Sequence, residues 1–268
     1  LGIDPRGRLL AGSVVGQSLS LVDRESGAVR PFVGPPAGMA DDVAFGPDGE
    51  VAWTAYLVGE LRIRNAAGEI RTVASGLPGL NSLAYTEDGR LFATQVFMGD
   101  ALYEIDRSGE QPPRKIIEGM GGLNGFEFGP DGHLYGPLWF KGEVVRVNVE
   151  SGEMDTVADG FRIPAAVNFD GQGRLYVVDS ATGELLRLRP DSGEKVRVAR
   201  LKPSLDNLAI DKQAGLLYVS NMADNSIQEV DLADGRVRDL VRTRLAAPSG
   251  LAMVGDQLHI ADTFAYRV

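Results

Sequence analysis

Three-residue apolar stretches recur along the chain in pairs, each pair split by a tight polar turn. Val43-Ala44-Phe45 runs through Gly46-Pro47-Asp48-Gly49 into Val51-Ala52-Trp53, and Phe126-Glu127-Phe128 runs through Gly129-Pro130-Asp131-Gly132 into Leu134-Tyr135-Gly136. Weaker copies span Leu83 to Leu91, Val167 to Leu175, Leu208 to Leu217 and Leu251 to Leu258. The chain opens inside another copy: Leu1-Gly2-Ile3, Asp4-Pro5-Arg6-Gly7, Leu9-Leu10-Ala11. The turn chemistry explains the phrase. Proline presets φ, aspartate tolerates the next turn position, and glycine takes the positive φ that closes a hairpin. Asp48 and Asp131 are therefore read as turn residues rather than ligands.

Aligned by their turns, the copies start at Leu1, Val43, Leu83, Phe126, Val167, Leu208 and Leu251. The period is about 41 residues, within the range of propeller blades. Two more strands follow the pair, as in Leu185-Leu186-Arg187-Leu188-Arg189, a turn at Pro190-Asp191-Ser192-Gly193, then Val196-Arg197-Val198. Four strands per repeat and no helical periodicity predict an all-β chain, a β-propeller of four-stranded blades. Residues 1–268 are expected to form a single domain whose last repeat is incomplete at the C-terminus. Counting starts favours seven blades.

Composition then narrows the function. Of 268 residues, 44% are hydrophobic, enough for a large core, and the net charge is −10. An acidic surface repels phosphate backbones, so nucleic acid is not an expected partner. The chain has no cysteine, which excludes disulfides, thiolate metal sites and a cysteine nucleophile. No apolar run reaches the roughly 18 residues of a membrane helix. Compartment and oligomeric state are left open. There is no G-x-S-x-G elbow, no glycine-rich dinucleotide or phosphate loop between a strand and a helix, and no linear calcium loop.

In a propeller the N-terminal ends of the first strands converge on one mouth of a central tunnel. Two positions before each start, the residues are Asp41, Asn81, Asn124, Ala165, Asp206 and Ser249; one position before, they are Asp42, Ser82, Gly125, Ala166, Asn207 and Gly250. Oxygen donors converging from separate blades suit a hard cation such as Ca²⁺ or another divalent ion. The competing reading is that they cap loops or hold water, as Asn and Asp before strands often do.

These residues resemble the superfamily of gluconolactonases and senescence-marker proteins, paraoxonases, diisopropyl-fluorophosphatase-type enzymes and strictosidine-synthase-like propellers. The pieces that carry the resemblance are Leu123-Asn124-Gly125 running into Leu134-Tyr135-Gly136, and Leu205-Asp206-Asn207-Leu208; it extends from Met39 to Tyr266. It implies a catalytic Ca²⁺ at the tunnel mouth and, in that family, usually six blades. By position the family's acidic ligand, a glutamate there, falls on Asp41 with Asp42 beside it. The Asn ligands fall on Asn124 and on Ala165, which cannot bind metal, and the Asp–Asn pair falls on Asp206 and Asn207. Asn81 or water would fill the gap, or the site has been lost. Streptogramin lyases, which are seven-bladed, resemble the chain in repeat length, but their chemistry uses histidine, and this chain has only two histidines. His133 follows a turn and reads as a surface residue. His259 sits in a packing column of the second strands. The paraoxonase-like mouth histidine would fall near Asn81.

Three functions follow. The first is a metal-dependent lactonase or esterase, with Ca²⁺ polarising an ester carbonyl and Asp206 or Asp41 as general base. The second is a non-catalytic, NHL-like propeller that binds a protein or peptide. The third is a metal-free lyase or synthase with Asp42 or Asp206 as the acid–base group. Tyr56, Phe97, Met98, Trp139, Phe140, Met222 and Phe264, on loops after the second strands, are expected to form an apolar rim for a small ester or lactone. They also fit a role in packing between blades.

Overall fold

The computed structural model describes residues 1–4 and 6–263. Pro5 of the opening turn and Phe264 of the expected rim lie outside that range.

The described chain is all-β apart from a short 3₁₀ turn at Pro47–Gly49. The first sheet holds β1 (Gly2–Ile3), β2 (Leu9–Ser13), β3 (Ser18–Val22) and β4 (Val29–Val33). The second holds β5 (Ala40–Phe45), β6 (Val51–Ala55), β7 (Glu60–Arg64) and β8 (Ile70–Ala74), and the third β9 (Leu80–Tyr85), β10 (Leu91–Gln95), β11 (Ala101–Ile105) and β12 (Arg114–Glu118). The fourth holds β13 (Glu127–Phe128), β14 (Leu134–Leu138), β15 (Glu143–Val147) and β16 (Met154–Ala158). The fifth holds β17 (Pro164–Phe169), β18 (Leu175–Asp179), β19 (Glu184–Arg189) and β20 (Glu194–Arg200), and the sixth β21 (Leu205–Asp211), β22 (Leu216–Asn221), β23 (Ser226–Asp231) and β24 (Val237–Val241). A last pair joins β25 (Pro248–Val254) to β26 (Gln257–Asp262).

Each sheet is an antiparallel meander in chain order. All seven repeat starts are thus accounted for: six head four-stranded sheets and the seventh heads a two-stranded one among the described residues. No helix of the described chain is long and apolar enough to cross a membrane.

By its contacts the chain divides into two compact units, Leu1–Leu123 and Asn124–Val268. In the first unit, Trp53, Leu10, Leu19 and Val43 make one core between sheets, and Leu61, Ile63, Leu83 and Leu91 another. In the second, Tyr135, Phe169, Leu175 and Val177 form one core, and Tyr176, Leu185, Leu208 and Val219 the next. Both faces of the second strands are used, which is why β6, β10, β14 and β18 are buried at every position.

The turns behave as their residues predict. Asp48 adopts φ 59°, and the Asp131 carboxylate accepts the His133 N–H at 3.2 Å and the Tyr135 hydroxyl at 2.8 Å. His133 is half-buried beside Asp131, its Nδ1 3.1 Å away.

A row of bulges and the candidate active site

The polar columns sit on β-bulges. Register shifts fall between Ala40 and Val43 in β5, between Pro164 and Ala166 in β17, between Leu205 and Leu208 in β21, and between Pro248 and Leu251 in β25. The extra residues are Asp41 and Asp42, Ala165, Asp206 and Asn207, and Ser249 and Gly250. Bulges release residues from the ladder and re-aim their side chains.

A hydroxyl on the neighbouring second strand fixes two of these bulges. In the first unit, Thr54 Oγ1 accepts the Asp42 N–H at 3.1 Å and donates to the Asn81 carbonyl at 2.7 Å. In the second, Ser220 Oγ accepts the Asn207 N–H at 3.0 Å and donates to the Ser249 carbonyl at 2.8 Å. Each hydroxyl thereby ties its own bulge to the next first strand. Asn124 does the same with its side chain, donating from Nδ2 to the Ala165 carbonyl at 3.0 Å.

The two residues of a bulge then divide the work. The second turns its side chain back on the backbone. Asp42 Oδ1 accepts the Val43 N–H at 2.9 Å and Oδ2 the Leu83 N–H at 3.1 Å; Asn207 Oδ1 accepts the Leu208 N–H at 2.8 Å. Burial pushes the Asp42 carboxyl above the usual range, opposed by the N-terminal ammonium and by those two N–H groups. The first residue points away. Asp41 is exposed and its Oδ2 accepts from Asn81 Nδ2 at 3.2 Å.

Asp206 differs from every other residue of the row. It is half-buried, and among the described residues its carboxylate has no hydrogen-bond or ion-pair partner. Burial alone raises its pKa to about 6. The backbone behind it is strained: Ser204, two residues earlier, holds φ 79°. Its N–H donates to the Ser180 carbonyl at 2.7 Å and its own carbonyl accepts the Met222 N–H at 3.1 Å, which locks the lead-in to β21. A non-glycine residue in the left-handed region costs about 1 kcal/mol or more and persists only where its surroundings hold it.

These positions do not make a calcium cage within either unit. Ca²⁺ takes about six to eight oxygens. In the first unit the Asp42 oxygens accept backbone N–H groups and the Asn81 oxygen accepts the Ser82 hydroxyl at 3.0 Å, leaving exposed Asp41. In the second, the Asn207 oxygen is spent likewise and Ala165 offers no side-chain donor, leaving Asp206 and the Asn124 oxygen. Among the described residues no group of three or more His, Asp or Glu side chains is placed to share an ion. No step below is routed through a metal.

The rim residues divide in the same way. Phe97, Met98, Phe140 and Met222 are exposed, Phe140 by 64%, so each presents apolar surface to solvent. Phe97 does so with φ 66°. Tyr56 is half-buried, and burial together with the Asp41 charge raises its pKa. Trp139 is half-buried against the core of the second unit and acts mainly in packing. Within that unit Met222 follows β22, whose last residue Asn221 pairs with Leu205 at the bulge of β21, and Phe140 follows β14.

The sequence reading missed a buried clamp at the ends of the second strands. Asp179, 3% exposed, accepts four backbone N–H groups, from Arg162, Ile163, Ala181 and Thr182, at 2.8–3.3 Å. Asn221 donates to the Lys202 and Pro203 carbonyls, Gln95 to that of Pro78, and Asp262 accepts from Ala246. The signal was clearest at β18, where Asp179 ends a run that is otherwise apolar.

No family model and no curated protein matches the chain. Solved structures do. The virginiamycin B lyase of Staphylococcus aureus aligns over 98% of this chain and 90% of its own, with a TM-score of 0.83 and 14% identity. The fold is a β-propeller. A chain of the nidogen/laminin complex aligns over 87% of this chain and 91% of its own (TM-score 0.68, 20% identity). The PQQ-bound aldose sugar dehydrogenase of Streptomyces coelicolor aligns over 84% and 88% (TM-score 0.62, 16% identity). At these identities the likeness establishes the propeller and does not single out the gluconolactonase-like family. One fold here hosts a lyase, a dehydrogenase and a component of a protein complex, so function has to be argued from the site.

Proposed function

We propose that the chain is a propeller enzyme that opens an ester or lactone bond in a small molecule, with Asp206 as the group that takes and returns the proton. The observation that carries this reading is the Asp206 carboxylate itself: recessed, on a bulge held from both sides, and without a partner among the described residues. A structural carboxylate is normally paired or hydrogen-bonded, as Asp42 and Asp179 are. A pKa of about 6 leaves Asp206 mostly ionised at neutral pH yet far more basic than an ordinary aspartate, the poise a general base needs.

Two bond-opening routes use this group in the same way. In hydrolysis, Asp206 takes a proton from the attacking water and returns it to the departing alkoxide. In elimination, it takes a proton from the carbon beside the ester C–O bond; the electron pair forms an alkene and the carboxylate leaves. Exposed Met222, which follows the end of β22 paired with the Asp206 bulge, supplies apolar surface beside it. The lyase among the structural neighbours supports the elimination route, and the family resemblance supports hydrolysis.

The test is a panel of aryl esters, simple lactones and cyclic peptide lactones, with products read by mass. Hydrolysis of a lactone adds one water, whereas elimination leaves the mass unchanged and adds an alkene chromophore. Asp206→Asn is expected to lower turnover by about 10²–10⁴-fold, the range for loss of a general base. Turnover indifferent to this substitution, or no turnover across the panel, would sink the reading.

A further inference from the structure

The middle residue of each first strand is Gly2, Ala44, Ala84, Glu127, Asn168, Ala209 and Ala252. Five of the seven are small, and the repeat breaks only at Glu127 and Asn168, which occupy neighbouring sheets of the second unit. That break coincides with a cavity of about 250 Å³, lined by all four middle residues of this unit together with Asn207 and Lys212. The volume lies just below the roughly 300–1,000 Å³ of drug-sized pockets.

Its polar groups are only partly used. Glu127 Oε2 accepts the Phe169 N–H at 2.7 Å, and Asn168 Nδ2 donates to the Val167 carbonyl at 2.7 Å. The first bond ties adjacent first strands, and the second holds the Asn168 amide against its own strand. The Glu127 carboxylate also engages the Asn168 side chain, and with about four lone-pair sites it keeps accepting capacity where it lines the cavity. Lys212 is exposed at the lining, and its charge is felt at Glu127 without an ion pair forming between them. A carboxylate and an ammonium thus flank one small cavity, neither neutralised by the other.

We infer that this cavity is a second binding site, which takes a compact zwitterion of amino-acid size, its ammonium on Glu127 and its carboxylate on Lys212. Asn168 and Asn207 supply uncharged hydrogen-bonding groups between the two ends, and Ala209 and Ala252 leave the room. The site does not depend on the role proposed for Asp206.

Calorimetric titration of the intact chain with the free L-amino acids tests it, each compared with its decarboxylated amine and its deaminated acid. At least one amino acid is expected to bind saturably, and to lose affinity about tenfold or more when either charged end is removed. Glu127→Gln, which keeps an acceptor for the Phe169 N–H, and Lys212→Met, at an exposed position, are each expected to weaken binding by a similar factor. Asp206→Asn is expected to bind as the parent does, which separates this site from the ester-opening chemistry. No saturable binding by any amino acid, or binding unchanged in both cavity variants, would overturn the inference.

Discussion

Many aspartates of this chain accept backbone N–H groups, and among the described residues Asp206 does not, which is what makes it stand out. Asp4, Asp23, Asp106, Asp170 and Asp231 accept N–H groups in turns, and Asp179 takes four of them in the interior. Removing that buried acceptor orphans its donors, so Asp179→Ala is expected to lower unfolding stability by about 3 kcal/mol or more, read by denaturant titration. Asp206 predicts the opposite sign. Its folded-state pKa is raised from 3.8 to about 6, so the folded chain holds that proton more tightly than the unfolded one. Stability is therefore lost as pH rises through this window and is unaffected below it. A shift of that size is worth about 2–3 kcal/mol. Asp206→Asn is expected to be more stable than the parent above pH 6 and equal to it near pH 4, with both pH values bracketing the shift. A residue that costs stability and has no structural partner is characteristic of a working site. The columns were legible in the sequence. Which members turn back on the backbone was not, because a carboxylate in the chain reads alike whether an N–H faces it or nothing does.

At the scale of elements, the hairpins and the four-strand repeat followed from turn residues and apolar alternation, while the bulges did not. A bulge is a mismatch between two strands, and neither strand shows it alone. The loops into five of the six third strands make a related point. Gln17, Gly59, Gly142, Gly183 and Asn225, the residues just before β3, β7, β15, β19 and β23, all take positive φ. At Gly183 a Cβ would come 2.3 Å from the Leu201 carbonyl oxygen, and at Gly142 2.2 Å from that of Phe161. At Asn225 a side chain is already accommodated. Gly183→Ala is expected to lower stability by about 2 kcal/mol or more, whereas Asn225→Gly keeps the backbone conformation and is expected to cost about 1 kcal/mol, from the orphaned Ala247 N–H. A loss at Gly183→Ala of only about 1 kcal/mol would show that conformation, not close approach, sets the requirement there.

For the whole molecule, the repeat period identified a propeller where overall sequence likeness is weak, because blade geometry constrains spacing more than identity. Blade number was less legible, since seven starts head six four-stranded sheets and one pair among the described residues. Calcium was expected from oxygens converging from separate blades. A melting temperature that falls with EDTA and rises saturably with Ca²⁺ is the result that expectation predicts, and a melting temperature indifferent to both would exclude it. The most direct test of the central claim is to follow the Asp206 carboxyl carbon by NMR across pH, assigned by its disappearance in Asp206→Asn. Titration near 6 is the predicted result for a desolvated, unpaired carboxylate. An ordinary aspartate value near the 3.8 of the free side chain would mean that the group is solvated or paired, and would contradict its role as the proton-transferring residue.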